Sequence, residues 1–162
     1  MRQMTFDPIS NTVSDEENPI EAERRTQVIR EAITWIGTPF RFTQQEKGRH
    51  GGTDCGNFVM AVFAACGWPP QRFVFDRQWF KNRTDEIYRA ELEKRAVSVP
   101  FPRPGDIALF HVGKLYWHGA IVISWPNRVI HCTEGHGVEY GSPKFSRMWP
   151  PLFFDPYARL TH

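Results

Sequence analysis

The fold is decided by the stretch Thr53-Asp54-Cys55-Gly56-Asn57-Phe58-Val59-Met60-Ala61-Val62-Phe63-Ala64-Ala65-Cys66-Gly67. Residues 57–66 are apolar on nearly all sides, which predicts a buried central helix that ends at Gly67. Cys55 stands between a glycine-containing loop and this helix, so we expect its thiol at the helix N-terminus. The partial positive charge and unpaired N–H groups there favour a thiolate and offer donors to an oxyanion.

Helical patterns surround this stretch, and short β-rich runs follow them. Pro19, after the capping residue Asn18, opens a first helix that ends at Gly37. A charged outer helix is predicted over residues 84–95, with Thr84 as its N-cap candidate. Strands are predicted at residues 107–111, 119–124, 129–132 and 137–140. Helices followed by strands predict an α+β fold, with helices packed on one face of a largely antiparallel sheet.

Length and composition indicate one globular domain. The 162 residues are 41% hydrophobic and 23% charged, which is ordinary usage for a chain with one core. Residues 1–17 are polar without an apolar period, which predicts a mobile arm before a single domain over 18–162. A net charge of +2 with no run of basic residues argues against nucleic acid as a partner.

The sequence also argues against a membrane span or a secretory signal. No stretch approaches the ~18 apolar residues that a span needs, and the N-terminus lacks the apolar region of a signal peptide. We therefore expect the protein to be made in the cytoplasm without a signal peptide. An action outside the cell would then need another route of delivery.

Three cysteines without a C-x-x-C pair favour reduced thiols. Cys66 lies eleven residues after Cys55, ~16 Å along the same helix, so we interpret it as core filling. Cys132 follows His131 in a predicted strand, where neighbouring side chains face opposite ways. If His131 faces a site, Cys132 faces away from it, which leaves Cys55 as the candidate nucleophile.

A thiol nucleophile needs a base, and the base needs a partner that fixes its tautomer. His118 begins one predicted strand and His131 lies in the next. A turn at Pro126-Asn127 would make these strands neighbours, so the two imidazoles can meet on one face of the sheet. His111 and His136 remain competitors, because they also lie near predicted sheet ends.

Zinc binding is the other chemistry that cysteine and histidine support. Cys55, His118, His131 and His136 could be assembled into a site. The chain has none of the spaced zinc motifs, neither C-x-x-C nor H-E-x-x-H nor H-x-E with P-C-x-x-C. We therefore predict no metal and no other cofactor.

Five pieces occur in order over about residues 25–154: AITWIGTPF at 32–40, Asp54-Cys55, RPGDIALF at 103–110, HGAIVI at 118–123 and VIHC at 129–132. Together they resemble the NlpC family of cell-wall cysteine peptidases. The resemblance implies a papain-like fold, with N-terminal helices on a mostly antiparallel sheet of about five or six strands. It implies Cys55 as nucleophile at the N-terminus of the central helix, His118 as general base and His131 as the residue that orients it.

The same resemblance implies hydrolysis of peptidoglycan stem peptides, typically between the γ-carboxyl of D-glutamate and a diamino acid. Asp54 corresponds to a family residue in substrate recognition, and Phe40, Gly56 and Trp117 are expected to line the substrate pocket. The family usually has Tyr where this chain has Phe40, and Ser-Gly where it has Gly56-Asn57. These departures concern the bond that is preferred rather than the Cys-His-His set.

The pattern most resembles tail-associated peptidases of phages and gene-transfer agents, through WIGTP at 35–39 and an inserted segment near 73–95. Carriage by a tail-like particle would bring the protein to the wall, with phage tail proteins as partners. Two alternatives stay open. One is an acyltransferase or amidase that uses the same three residues, and the other is a non-catalytic tail-binding or wall-binding module.

Overall fold

The computed structural model describes residues 18–74 and 85–158. Within them, three helices pack beside a six-stranded antiparallel sheet, which confirms the α+β class predicted from the sequence. The arm predicted at residues 1–17, the N-cap candidate Thr84 and the terminal His162 lie outside the described residues. In the part that the structure describes, no helix has the length and apolar character to cross a membrane.

The helices described are α1 (Pro19–Thr34), α2 (Cys55–Ala65) and α3 (Ile87–Arg95). A two-stranded ribbon is formed by β1 (Gln45–Glu46) and β2 (Gly52–Thr53). The large sheet consists of β3 (Val97–Val99), β4 (Ile107–Val112), β5 (Leu115–Ser124), β6 (Arg128–Thr133), β7 (Gly137–Gly141) and β8 (Leu152–Asp155). Its strand order is β3-β8-β4-β5-β6-β7, so β4 to β7 form a meander.

Side chains cap the first two helices. Asn18 Oδ1 accepts a hydrogen bond from Ile20 N–H at 3.0 Å, as its position before Pro19 predicts. Asp54 caps α2, where its Oδ1 accepts from the Asn57 N–H at 2.8 Å. α2 starts at Cys55, two residues before the predicted start, and packs its buried side chains against β5 and β6.

A buried arginine ties α1 to the turn that precedes β4. Arg25 Nη1 lies 2.7 Å from Asp106 Oδ1 and donates to the Pro104 carbonyl at 2.9 Å. Asp106 also accepts from the Arg103 backbone N–H at 2.8 Å, so its carboxylate bonds groups of the protein itself. The Tyr157 ring stacks under the Arg25 guanidinium at 4.3 Å.

The second face of the sheet has its own small core. Buried side chains of β4, β5 and β6 form it: Ala108, Phe110, Ala120, Val122 and Val129. The rings of Trp125 and Phe153 pack against this cluster, and Phe145 stacks on Trp125 with ring centroids 5.4 Å apart. The central strands are therefore buried on both faces.

Other features of the fold also differ from the sequence prediction, and α1 ends at Thr34, three residues before the predicted Gly37. The edge strand β3 and its neighbour β8 were not predicted, and they pair with each other. β5 begins at Leu115, so His118 lies inside a strand rather than at its start. The glycine-containing loop before Cys55 holds the short ribbon of β1 and β2.

Candidate active site

The sulfur of Cys55 is buried at the start of α2, with 4% of the residue exposed. Its Sγ lies 3.6 Å from the carbonyl oxygen of Trp117 in β5. Backbone N–H groups of Gly119, Gly56 and Cys55 itself donate towards the sulfur. The thiol therefore rests between the first turn of the helix and the backbone of β5.

Burial, together with the charge of the neighbouring Asp54, raises the pKa of the Cys55 thiol to about 12. The three N–H donors lower the pKa, but by less than burial raises it. This shift opposes the thiolate that the helix terminus favours. Cys55 holds its proton at neutral pH.

Two imidazoles meet on one face of the sheet, as the strand pattern predicts. His131 is directly opposite Ala120 in the pairing of β6 with β5, and His118 lies two residues before Ala120 on the same face. His118 Nε2 and His131 Nδ1 are 2.9 Å apart and share a hydrogen bond. His118 is thereby held by a partner on the next strand.

Both imidazoles are neutral near pH 7. Burial, together with the proximity of His131, lowers the pKa of His118 to about 4. Burial also lowers the pKa of His131, against the charge of Glu139, which raises it. The resting site therefore combines a neutral thiol with a neutral pair of imidazoles.

A break in the sheet brings the sulfur and the base together. The pairing of β5 with β6 ends at Ala120 and His131, although both strands continue. The backbone of Val122 forms hydrogen bonds with the turn before β4. Because backbone N–H groups point alternately to the two sides of a strand, the N–H of Gly119, three residues earlier, points to the β6 side. That N–H donates towards the Cys55 sulfur instead of a β6 carbonyl.

The nucleophile and the base candidates thus come from opposite faces of the sheet. A Cβ atom on Gly119 would contact Val59 of α2, so Gly119 faces the helix and the adjacent His118 faces away from it. The Cys55 sulfur lies against the backbone on either side of His118, where β5 and β6 separate. This gap makes it possible for both groups to border one space.

That space is a cavity of about 220 Å³, whose wall includes Phe40, Asp54, Cys55, Trp117, His118 and Cys132. Cys132 therefore does not face away from the candidate site, and the prediction that it does is wrong. The prediction assumed that the nucleophile lies on the same face of the sheet as His131. The Cys55 sulfur lies instead in the gap between β5 and β6, which side chains of both faces can reach. Val112, Thr133 and Glu134 complete the wall.

Asp54 borders the cavity, but protein donors occupy its carboxylate. Its Oδ2 accepts from the Thr43 N–H at 2.8 Å and from Asn57 Nδ2 at 3.0 Å, in addition to the helix cap. Burial raises the pKa of Asp54, and these hydrogen bonds counteract the rise. The side chain consequently fixes the start of α2 in the protein without a ligand.

The two residues after Cys55 both contact the inserted segment. Gly56, expected to line the pocket, instead lies under the ring of Tyr88 from α3, which fills the space of a Cβ atom. Asn57 bonds both backbone groups of Phe73: its Oδ1 accepts at 2.6 Å and its Nδ2 donates at 2.9 Å. The departures from the family pattern at these positions are therefore matched by packing partners within this chain.

The competing histidines lie elsewhere. His111 stacks on Trp149 with ring centroids 4.5 Å apart, and His136 is exposed, with Nδ1 4.0 Å from Glu139 Oε1. Neither borders the cavity that Cys55 and His118 line. Among the residues that the structure describes, no group of three or more His, Cys, Asp or Glu side chains could hold a metal ion.

No protein-family model and no curated protein matches this chain. Solved structures do match it. The NlpC/p60 domain of the peptidoglycan hydrolase SagA is 20% identical, over 81% of this chain and 97% of that one, with a TM-score of 0.53. The peptidoglycan hydrolase RipB of Mycobacterium tuberculosis is 16% identical, over 83% of this chain and 65% of that one, with a TM-score of 0.58.

RipD of Mycobacterium tuberculosis, a non-catalytic NlpC/p60 domain protein adapted to peptidoglycan binding, is also similar. It is 15% identical, over 81% of this chain and 95% of that one, with a TM-score of 0.53. The fold is thus found in hydrolases and in a binding protein. The chain has the α+β fold of NlpC/p60 peptidoglycan hydrolase domains.

Proposed function

We propose that this chain is a cysteine peptidase that hydrolyses stem-peptide bonds of bacterial peptidoglycan. Cys55 is the nucleophile, His118 the general base and His131 the residue that orients it. The observation that carries the proposal is that Cys55 and His118 line one cavity while His118 is hydrogen-bonded to His131 at 2.9 Å. A thiol, a base and a partner for the base are the parts that thiol acylation requires.

The hydrogen bond between the imidazoles defines the proton transfer. When the Nε2–H of His118 donates to His131 Nδ1, the Nδ1 of His118 is left as the acceptor. That nitrogen takes the Cys55 proton as the sulfur attacks the carbonyl carbon of the scissile bond. The protonated imidazole then gives the proton to the leaving amine, and a thioester remains on Cys55.

Water completes the reaction from the same cavity. His118, neutral again, takes a proton from the water molecule that attacks the thioester. The C–S bond then breaks, the stem peptide leaves with its new carboxyl group, and His118 returns the proton to the sulfur of Cys55. The N–H groups of Cys55 and Gly119, which donate towards the resting sulfur, are the proposed donors to the oxyanion. Because the resting thiol and imidazole are both neutral, the proton has to pass from Cys55 to His118 during the acylation step.

The proposed substrate is the bond between the γ-carboxyl of D-glutamate and a diamino acid. Two of the similar structures are hydrolases of peptidoglycan by name, and the five sequence pieces resemble enzymes with this bond preference. Glu134 lies on the cavity wall, and its negative charge suits a substrate with an amino group. We expect Phe40 and Trp117 to contact the peptide.

Delivery by a phage tail or a related particle is part of the proposal. It is supported by the tail-peptidase pattern of the WIGTP stretch at 35–39 and by the segment between α2 and α3. Immunodetection of the protein in purified particles tests it. A protein found only outside the particles would contradict it.

A non-catalytic wall-binding module is the second candidate. RipD, with the same fold, is named as a non-catalytic protein with a peptidoglycan-binding function. The high pKa of the Cys55 thiol fits that alternative as well, because a protonated sulfur is a weak nucleophile. This candidate predicts retention on purified cell walls without release of fragments.

Digestion of defined muropeptides, followed by mass spectrometry, distinguishes these functions. We expect cleavage at the D-glutamyl-γ bond by the wild type, none by Cys55→Ala, and cleavage by Cys66→Ala, which removes a thiol at the far end of α2. Cleavage by Cys55→Ala would exclude the mechanism. Binding without cleavage would favour the module, and acyl transfer to an added amine would identify an acyltransferase.

A further inference from the structure

We propose that Glu139 of β7 is a positioning residue that stabilises the protonated form of the His118–His131 pair. The inference deepens the proposed function, on which it rests. Glu139 stands directly opposite His131 in the antiparallel pairing of β6 with β7. Opposed residues share a face of the sheet and have Cβ atoms about 4.5–5.5 Å apart, so the Glu139 side chain projects from the same face as the His131 imidazole.

β7 also provides the surface on which the His131 ring lies. Gly141 is two residues after Glu139 on the same face, and a Cβ atom there would overlap His131 Nε2. The ring therefore turns Nδ1 to His118 and Nε2 to β7. One imidazole thus connects the proposed base to the strand that carries the carboxylate.

The need for a carboxylate follows from the charge that the reaction creates. When His118 takes the thiol proton, a positive charge appears on two hydrogen-bonded rings that burial otherwise keeps neutral. A negative charge near the His131 ring lowers the free energy of that cation. Glu139 opposes the effect of burial on the pKa of His131, in agreement with this role.

Other titratable groups surround the pair. His118 approaches His131 from β5, while Cys55 and Asp54 border the cavity at the start of α2. His136, in the loop from β6 to β7, lies 4.0 Å from Glu139 and competes for its charge when protonated. Glu134 lies on the cavity wall from the same loop.

The expected effect is modest because 44% of the Glu139 side chain is exposed to solvent. Exposed ion pairs contribute about 0.2–0.7 pH unit to the pKa of a partner, or a change of about two- to fivefold in rate. We expect Glu139→Gln to lower the pKa of His131 by that amount and kcat by about two- to fivefold. Glu139→Asp should keep part of both effects.

The test is an NMR titration of the imidazole resonances in the wild type, Glu139→Gln and Glu139→Asp. The control is Glu93→Gln, which neutralises an exposed glutamate of α3 that pairs with Arg89. A His131 pKa that falls in Glu139→Gln, is partly restored in Glu139→Asp and is unchanged in the control supports the inference. An unchanged His131 pKa in Glu139→Gln overturns it, even if the enzyme is active.

This readout is independent of turnover. If no variant cleaves peptidoglycan, the proposed function fails, while the titration still reports whether Glu139 acts on the imidazole pair. If the wild type cleaves peptidoglycan, a uniform loss of rate at every pH without a shift in the titration would indicate a structural role for Glu139 and contradict the inference.

Discussion

Tyr88 packs its ring onto Gly56 in the first turn of α2, in the space that a Cβ atom at residue 56 would need. The same ring lies 4.8 Å from the Trp117 ring, and its hydroxyl is 3.5 Å from Asp54 Oδ1. Trp117 and Asp54 both belong to the cavity wall. Tyr88 of α3 thus packs against both the first turn of α2 and two residues of the cavity wall.

Gly56→Ala should destabilise the protein, which reverses the usual effect of this substitution in a helix. Alanine is normally favoured over glycine by about 1 kcal/mol. Here the new methyl group would overlap the Tyr88 ring, and overpacking of this kind costs about 1–3 kcal/mol. Urea unfolding of the two proteins measures the difference.

The double variant Gly56→Ala/Tyr88→Leu provides the control. If the ring causes the loss, the alanine should cost less in the Tyr88→Leu background than in the wild type, because contacting sites are not additive. Equal costs in both backgrounds, or a stabilised single variant, would show that the ring does not lie on residue 56 in solution.

Cys55 should remain a thiol in the free protein from neutral pH up to strongly alkaline pH. Burial raises its pKa to about 12 and lowers that of His118 to about 4, so no thiolate–imidazolium pair forms between these limits. Ultraviolet absorbance of the thiolate, as a difference between wild type and Cys55→Ala, measures this. A thiolate signal at neutral pH that disappears in Cys55→Ala would contradict the neutral resting state.

Arg25→Met should lower the free energy of unfolding by more than Arg103→Met does. Both arginines contact Glu21 and Asp155, but 4% of the Arg25 side chain is exposed against 48% of the Arg103 side chain. Loss of Arg25 leaves the buried Asp106 without its ion-pair partner, at a cost of about 3–5 kcal/mol. The exposed pairs of Arg103 contribute about 1 kcal/mol or less.

Denaturant unfolding of the two arginine variants beside the wild type provides the comparison. Equal decreases in the free energy of unfolding would mean that burial of the Arg25–Asp106 pair does not increase its contribution to stability. A small loss from Arg25→Met alone would show that methionine packing replaces the ion pair.

The helical half of the fold could be predicted because its signals are local. Asn18-Pro19 marks the start of α1, and the apolar run that ends at Gly67 marks α2, although α2 starts two residues before the predicted start. β8 could not be predicted in this way. Its short apolar run lies next to Pro150, Pro151 and Pro156, and it becomes a strand only through pairing with β3 and β4, distant in sequence.

The candidate site could be predicted in part. The alternation of strand residues correctly places His118 and His131 on one face, because their relation depends only on pairing register. It fails for Cys132, because register does not reveal that β5 and β6 separate beyond Ala120. The burial that keeps Cys55 protonated is also a property of the assembled core.

Because β5 and β6 separate at the site, the position of α2 relative to the sheet determines how the proposed nucleophile and base are aligned. Cys55 moves with α2, His118 moves with the sheet, and the close approach of Val59 to Gly119 sets the spacing between the two layers. A bulkier residue at position 119 would push α2 away from the sheet. It would draw the sulfur away from the imidazole without altering either of them.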